Sequence, residues 1–88
     1  VRRAAEIGAV PELQTLLGQQ GDIDARDESG RTALMLATLS GQARAVDLLL
    51  AHGADPNAAD AQGVTPLQAA IAGDRPAIAA ALRRAGAR

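Results

Sequence analysis

Apolar positions along the chain come in short bursts separated by glycine and small polar clusters. Leu34, Leu36 and Ala37 form one stripe at helical spacing, and Val46, Leu49 and Leu50 form a second. Asp27-Glu28-Ser29-Gly30 before the first stripe reads as a turn, with Gly30 free to take positive φ. Thr32 stands where a hydroxyl can cap the following helix. Gly41 stops that helix, and Gly53 stops a second that runs from about Ala43 to His52. Pro11 and Pro76 fall in first turns of equivalent helices, where a missing N–H costs little. The pattern predicts helices and turns only, an all-α chain.

The pattern repeats. At an offset of 33, Asp27, Gly30, Thr32, Leu34, Ala37, Leu49, Gly53 and Ala54 fall without a gap on Asp60, Gly63, Thr65, Leu67, Ala70, Leu82, Gly86 and Ala87. The same offset carries Ala4, Gly8, Leu16, Leu17, Asp22 and Ala25 onto the middle stretch. A fixed period of this size marks a stacked array of helix-turn-helix units. The expected division is one domain over 1–88, with a truncated unit at 1–26, a full unit at 27–59 and a C-terminal cap at 60–88.

Two segments carry a specific resemblance. Asp60-Ala61-Gln62-Gly63-Val64-Thr65-Pro66-Leu67-Gln68-Ala69-Ala70 resembles the turn and T-P-L-H-x-A signature of the ankyrin repeat family. Leu48-Leu49-Leu50-Ala51-His52-Gly53-Ala54-Asp55-Pro56-Asn57-Ala58 is similar to that family's L-L-L-x-x-G-A-D-x-N-A segment. The resemblance implies an L-shaped solenoid of paired helices whose turns project to one side. It also implies protein binding through the concave side, with no shared catalytic residue and no cofactor.

Departures from the family pattern are confined to a few positions. Met35 and Gln68 stand where the family usually has a His that ties neighbouring turns; Gln68 retains the hydrogen-bonding capacity and Met35 does not. Asp74 replaces the glycine seen at Gly41, in a place expected to need left-handed backbone, which Asp tolerates better than most residues. Arg3 stands opposite Leu36 and Arg83 opposite Leu50, so charge replaces a core aliphatic at both ends. Terminal units of an array need a polar outer face, and Arg3, Arg83, Arg84 and Arg88 are read as supplying it. Val1 in place of Met points to a fragment or a processed form.

Composition narrows the function. Eighty-eight residues bury a thin core, and the chain has no Cys for disulfides. Zinc is excluded by the lack of Cys and the single His52, which reads as a helix C-terminal residue rather than a base. The net charge is −1 with interleaved signs, which argues against nucleic acid. No apolar run approaches a membrane span, so no membrane association is expected. Asp22, Asp24, Asp27 and Glu28 tempt a calcium reading, but a loop starting at Asp22 has Asp27 and Ala33 where Gly and Glu are required. These aspartates recur one unit later as Asp55, Asn57 and Asp60, so they are read as bonding turn backbone. Arg2-Arg3 and Arg83-Arg84 read as solvated cap faces.

No hydrolase triad, phosphate loop or metal set is present, so the chain is read as non-enzymatic with no cofactor. Binding is then expected at positions that the repeat does not dictate. The predicted partner-binding set is Glu28, Ser29, Arg31, Met35, Leu39, Gln62, Val64 and Ile71, with Arg26 at the rim and Ala61, Ala72 and Glu6 nearby. The expected partner is another protein, bound by a monomer or a weakly self-associating chain. The lack of Trp and Tyr points to modest affinity, or to a partner that brings its own aromatics. Two alternatives stand beside this. One is a self-associating structural unit that stacks through an edge near Val1, Ala5 and Ile7; the other is a regulatory fragment of a larger protein whose catalytic part lies upstream. The absence of Cys favours the cytoplasm and also fits the bacterial periplasm.

Overall fold

The computed structural model describes residues 23–87. Most of the first unit, including Arg2, Arg3, Glu6, Pro11 and Asp22, lies outside them, as do the edge at Val1, Ala5 and Ile7 and the terminal Arg88.

The described chain forms two helix pairs, α1 (Ala33–Leu39) with α2 (Ala43–Ala51), and α3 (Pro66–Ala72) with α4 (Pro76–Arg84). There is no strand among the described residues. The helices begin and end where the local chemistry directs. Thr32 Oγ1 accepts from the Met35 N–H at 3.2 Å, and Thr65 does the same for Gln68. At α3 the arrangement is reciprocal, because Gln68 Oε1 accepts from the Thr65 N–H at 3.1 Å. This capping box satisfies two N–H groups that the first turn leaves over. Pro66 and Pro76 occupy first-turn positions. His52 closes α2, as its place before Gly53 predicts.

Each helix pair turns through a left-handed residue. Gly41 lies at φ +71° and Asp74, its counterpart, at φ +54°. The expectation that Asp74 must take glycine-like backbone is therefore met.

The core runs through both units in register. Leu34, Ala37, Val46 and Leu49 are buried, and Leu67, Ala70, Ala79 and Leu82 repeat them. Within a unit α1 packs on α2 and α3 on α4; between units α1 packs on α3 and α2 on α4. Alanine at Ala37, Ala45, Ala70 and Ala79 keeps the helix axes close, which is how a chain without aromatic residues still closes its interior. Leu50, expected on the buried face of α2, is only partly buried. Its counterpart Arg83 is exposed, as is Arg84, and both favour the last turn of α4, where the helix dipole is negative.

Candidate functional site

The projecting turns are built by aspartates. Asp27 Oδ1 accepts from the N–H groups of Ser29 and Arg31, both at 2.9 Å, and Asp60 Oδ1 accepts from those of Gln62 and Val64 at 2.9 and 3.0 Å. Each turn also closes through its own backbone, with Asp27 N–H on the Arg31 carbonyl and Asp60 N–H on the Val64 carbonyl, both 2.9 Å. The aspartates thus bond turn backbone, as their repetition implies. Asp24 acts in the same way between units, its Oδ1 accepting from the Asp55 N–H at 2.9 Å.

The turns are tied to one another without the family's histidine. The Ala61 N–H donates to the Ser29 carbonyl at 3.0 Å, joining the two turn tips directly. Arg26 Nη1 donates to the Gly30 carbonyl at 3.1 Å and to the Ala59 carbonyl in the next unit. Arg26, expected as rim charge for a partner, is instead engaged with its own scaffold. Gln68, a candidate for tying turns, is committed to the cap of α3. Further back, Asn57 Nδ2 donates to the Gly86 carbonyl at 3.2 Å.

Between the two turns and along α1 and α3 lies a groove of about 550 Å³. Arg31, Val64 and Asp60 line its turn end, and Gly73 and Arg75 its far end. Met35, Thr38, Leu39, Ala69 and Ala72 form the stretch between. Leu39 is 44% exposed, a large apolar side chain left open to water. Arg31 is half-buried, and its Nε is shielded from solvent with no hydrogen-bond acceptor. Arg75 is exposed overall, yet its guanidinium is seated on Gly41: a Cβ at Gly41 would fall 2.6 Å from Arg75 Cζ. That places the cation beside the C-terminal end of α1.

Of the eight predicted binding residues, the groove gathers Arg31, Leu39 and Val64 on its walls and Met35 beneath them. Met35 is a correction. It is 0% exposed, so its side chain lies beneath the groove rather than on an open wall. Glu28, Ser29 and Gln62 are exposed on the turn tips beyond the groove. Ile71 is 57% exposed and lies off the groove, in a shallow depression with Asp74, Pro76 and Arg83. One unit earlier its register position is Thr38, which is buried. Arg75 and Gln68 line the groove and were not in the predicted set. Arg75 carried a usable signal, since Gln42 stands at its place one unit earlier and the repeat leaves the position open.

Among the described residues no cluster of His, Asp or Glu is arranged to hold a metal ion, and no helix is long and apolar enough to cross a membrane. The geometry is that of stacked helical repeats with an open groove: a stitched frame, an apolar floor and two cations.

The sequence profile of the family described as ankyrin repeats (3 copies) matches residues 2–88, and the chain belongs to that family. It is 45% identical to human (Homo sapiens) ankyrin repeat domain-containing protein 63 over 60 residues, 68% of this chain and 16% of that protein. It is 42% identical to ankyrin repeat domain-containing protein 13C of Danio rerio over 78 residues, 88% of this chain and 16% of that one. A stretch of 57 residues is 44% identical to the mitochondrial disaggregase of Bos taurus, covering 65% of this chain and 8% of that protein. The chain therefore spans at most 16% of these relatives. Ankyrin repeats generally mediate protein–protein interaction and are typically non-enzymatic.

Proposed function

We propose that this chain is a non-enzymatic recognition module that binds another protein through the groove between its turns and first helices. The observation that carries the reading is the content of that groove. Its open walls are formed by Arg31, Leu39 and Val64, positions that the repeat does not dictate, on a frame held by backbone bonds. An exposed leucine flanked by polar side chains on a rigid frame is the composition expected of a binding surface.

The test is selection of ligands from a random peptide library on the immobilised chain. Selected peptides are then measured against a variant carrying Arg31→Ala, Leu39→Asp and Val64→Asp, whose fold is checked by circular dichroism. Loss of binding with the helical spectrum retained supports the groove. Equal binding to the variant refutes it.

A second reading, a recruiting arm within a longer protein, is favoured by the relatives, each of which carries the matched stretch inside a much longer chain. The coding sequence that flanks this stretch decides it.

A further inference from the structure

We propose that the groove takes an extended acidic segment of a partner protein, with one carboxylate on Arg31, a second on Arg75 and an apolar side chain between them. This rests on the groove being the binding surface and names the chemistry that fills it.

The two cations are the starting point. Arg31 Nε is cut off from water and has no acceptor. No acceptor for the Arg75 guanidinium is found among the described residues, and its packing on Gly41 holds it at the far end of the groove. Arg31 is half-buried and Arg75 exposed, and neither guanidinium has a protein acceptor among the described residues, so each is open to pairing with a planar carboxylate. The acidic residue that shares the lining, Asp60, has Oδ1 committed to the N–H groups of Gln62 and Val64. Glu28 stands outside, on the turn tip.

The spacing selects the conformation. From the N-cap Thr32 to the C-cap Ser40 of α1 the backbone climbs on the order of 12 Å at the helical rise. An extended chain covers that in about four residues, at roughly 3.3 Å each. In an extended chain residues i, i+2 and i+4 point to one side. Carboxylates at i and i+4 then meet the two arginines, and the side chain at i+2 falls on the stretch of Leu39, Ala69 and Ala72. The preferred motif is therefore acidic-x-apolar-x-acidic. The apolar middle distinguishes it from a simple polyanion, because the floor between the cations offers no further charge.

The experiment uses the full chain and two fluorescein-labelled peptides, Ser-Glu-Ser-Leu-Ser-Glu-Ser and its counterpart with both Glu replaced by Gln, read by fluorescence polarisation at low salt. The acidic peptide is expected to bind about tenfold more tightly, an amount typical of one or two charge-assisted contacts. Arg31→Gln and Arg75→Gln should each remove the preference for one of the two Glu positions, identified with singly substituted peptides, while circular dichroism stays unchanged. Equal binding of the two peptides, no binding of the acidic one, or a preference that survives both substitutions overturns the proposal. These outcomes are separable from failure of the groove itself. Library-selected ligands that need Leu39 but carry no carboxylate leave the groove standing and remove only the acidic partner.

Discussion

Gly30 and Gly63 occupy the same place in successive turns, at φ +75° and +80°, and replacing each with Ala should give unequal results. The left-handed strain is common to both. It costs about 1–2 kcal/mol for a residue with a Cβ and is offset by about 0.4–1 kcal/mol from the stiffer unfolded chain. A Cβ at Gly63 meets nothing within 4 Å, so Gly63→Ala should cost about 1 kcal/mol. A Cβ at Gly30 would lie 2.7 Å from the Ala61 backbone nitrogen and 3.3 Å from its Cα. Backbone cannot swing aside as a side chain does, so the second turn must shift. The shift stretches the bond from the Ala61 N–H to the Ser29 carbonyl, about 1 kcal/mol, and adds an overpacking cost of about 1 kcal/mol or more. Gly30→Ala should therefore cost about 3 kcal/mol, and the two midpoints should differ by on the order of 10 °C at the slope expected for a domain of this size. Urea and thermal unfolding followed by far-UV circular dichroism measure both, since the chain has no Trp. If the two variants agree within about 0.5 kcal/mol, the margin for independent sites, the turn-to-turn contact contributes nothing and the reasoning fails.

Asp74→Gly should stabilise the chain by about 1 kcal/mol, because a non-glycine residue holds φ +54° there; a lower urea midpoint would contradict this. Leu49→Ala should cost about 2–5 kcal/mol, as a fully buried aliphatic at the joint between the units, whereas Leu39→Ala should fall within about 0.5 kcal/mol of the parent in the same unfolding assay. Asp60→Ala leaves the N–H groups of Gln62 and Val64 without their carboxylate and should cost about 1–2 kcal/mol, with hydrogen exchange rising first at those two amides.

What was legible in the sequence is what the chain decides locally. Thr32 and Thr65 as caps, Gly41 and Asp74 as left-handed corners, and Asp27 and Asp60 as turn builders each follow from one residue and its near neighbours. The core followed too, because Leu34 and Leu49 recur at a helical spacing and again one period later. What was not legible depends on how one unit sits on the next. Met35 is an ordinary exposed-looking helix position in the sequence, yet in the stacked chain it is fully buried. Ile71, in a matching stretch of helix, is open because no described residue covers it. Arg26 reads as rim charge and Arg75 draws no assignment, and only the stacked geometry shows that one reaches the Ala59 carbonyl and the other rests on Gly41. Arg31, Leu39 and Val64 stand out in the sequence as exceptions to the period, but their assembly with Arg75 is a property of the joint.

The link between the turn tips uses the Ala61 N–H and the Ser29 carbonyl, atoms present in almost every residue type. Spacing between the tips themselves is thus set by main chain, with the Arg26 guanidinium as the side-chain stitch behind them. Only Asp27, Gly30, Asp60 and Gly63 are reserved for keeping the tips in shape. The side chains of Glu28, Ser29, Ala61 and Gln62 can be exchanged as a block, with proline barred at Ser29, Ala61 and Gln62, where it would lack the donor. Vocabulary and grammar are kept on different atoms, so a new partner can be addressed by rewriting the tips while the frame that holds them is left as it is.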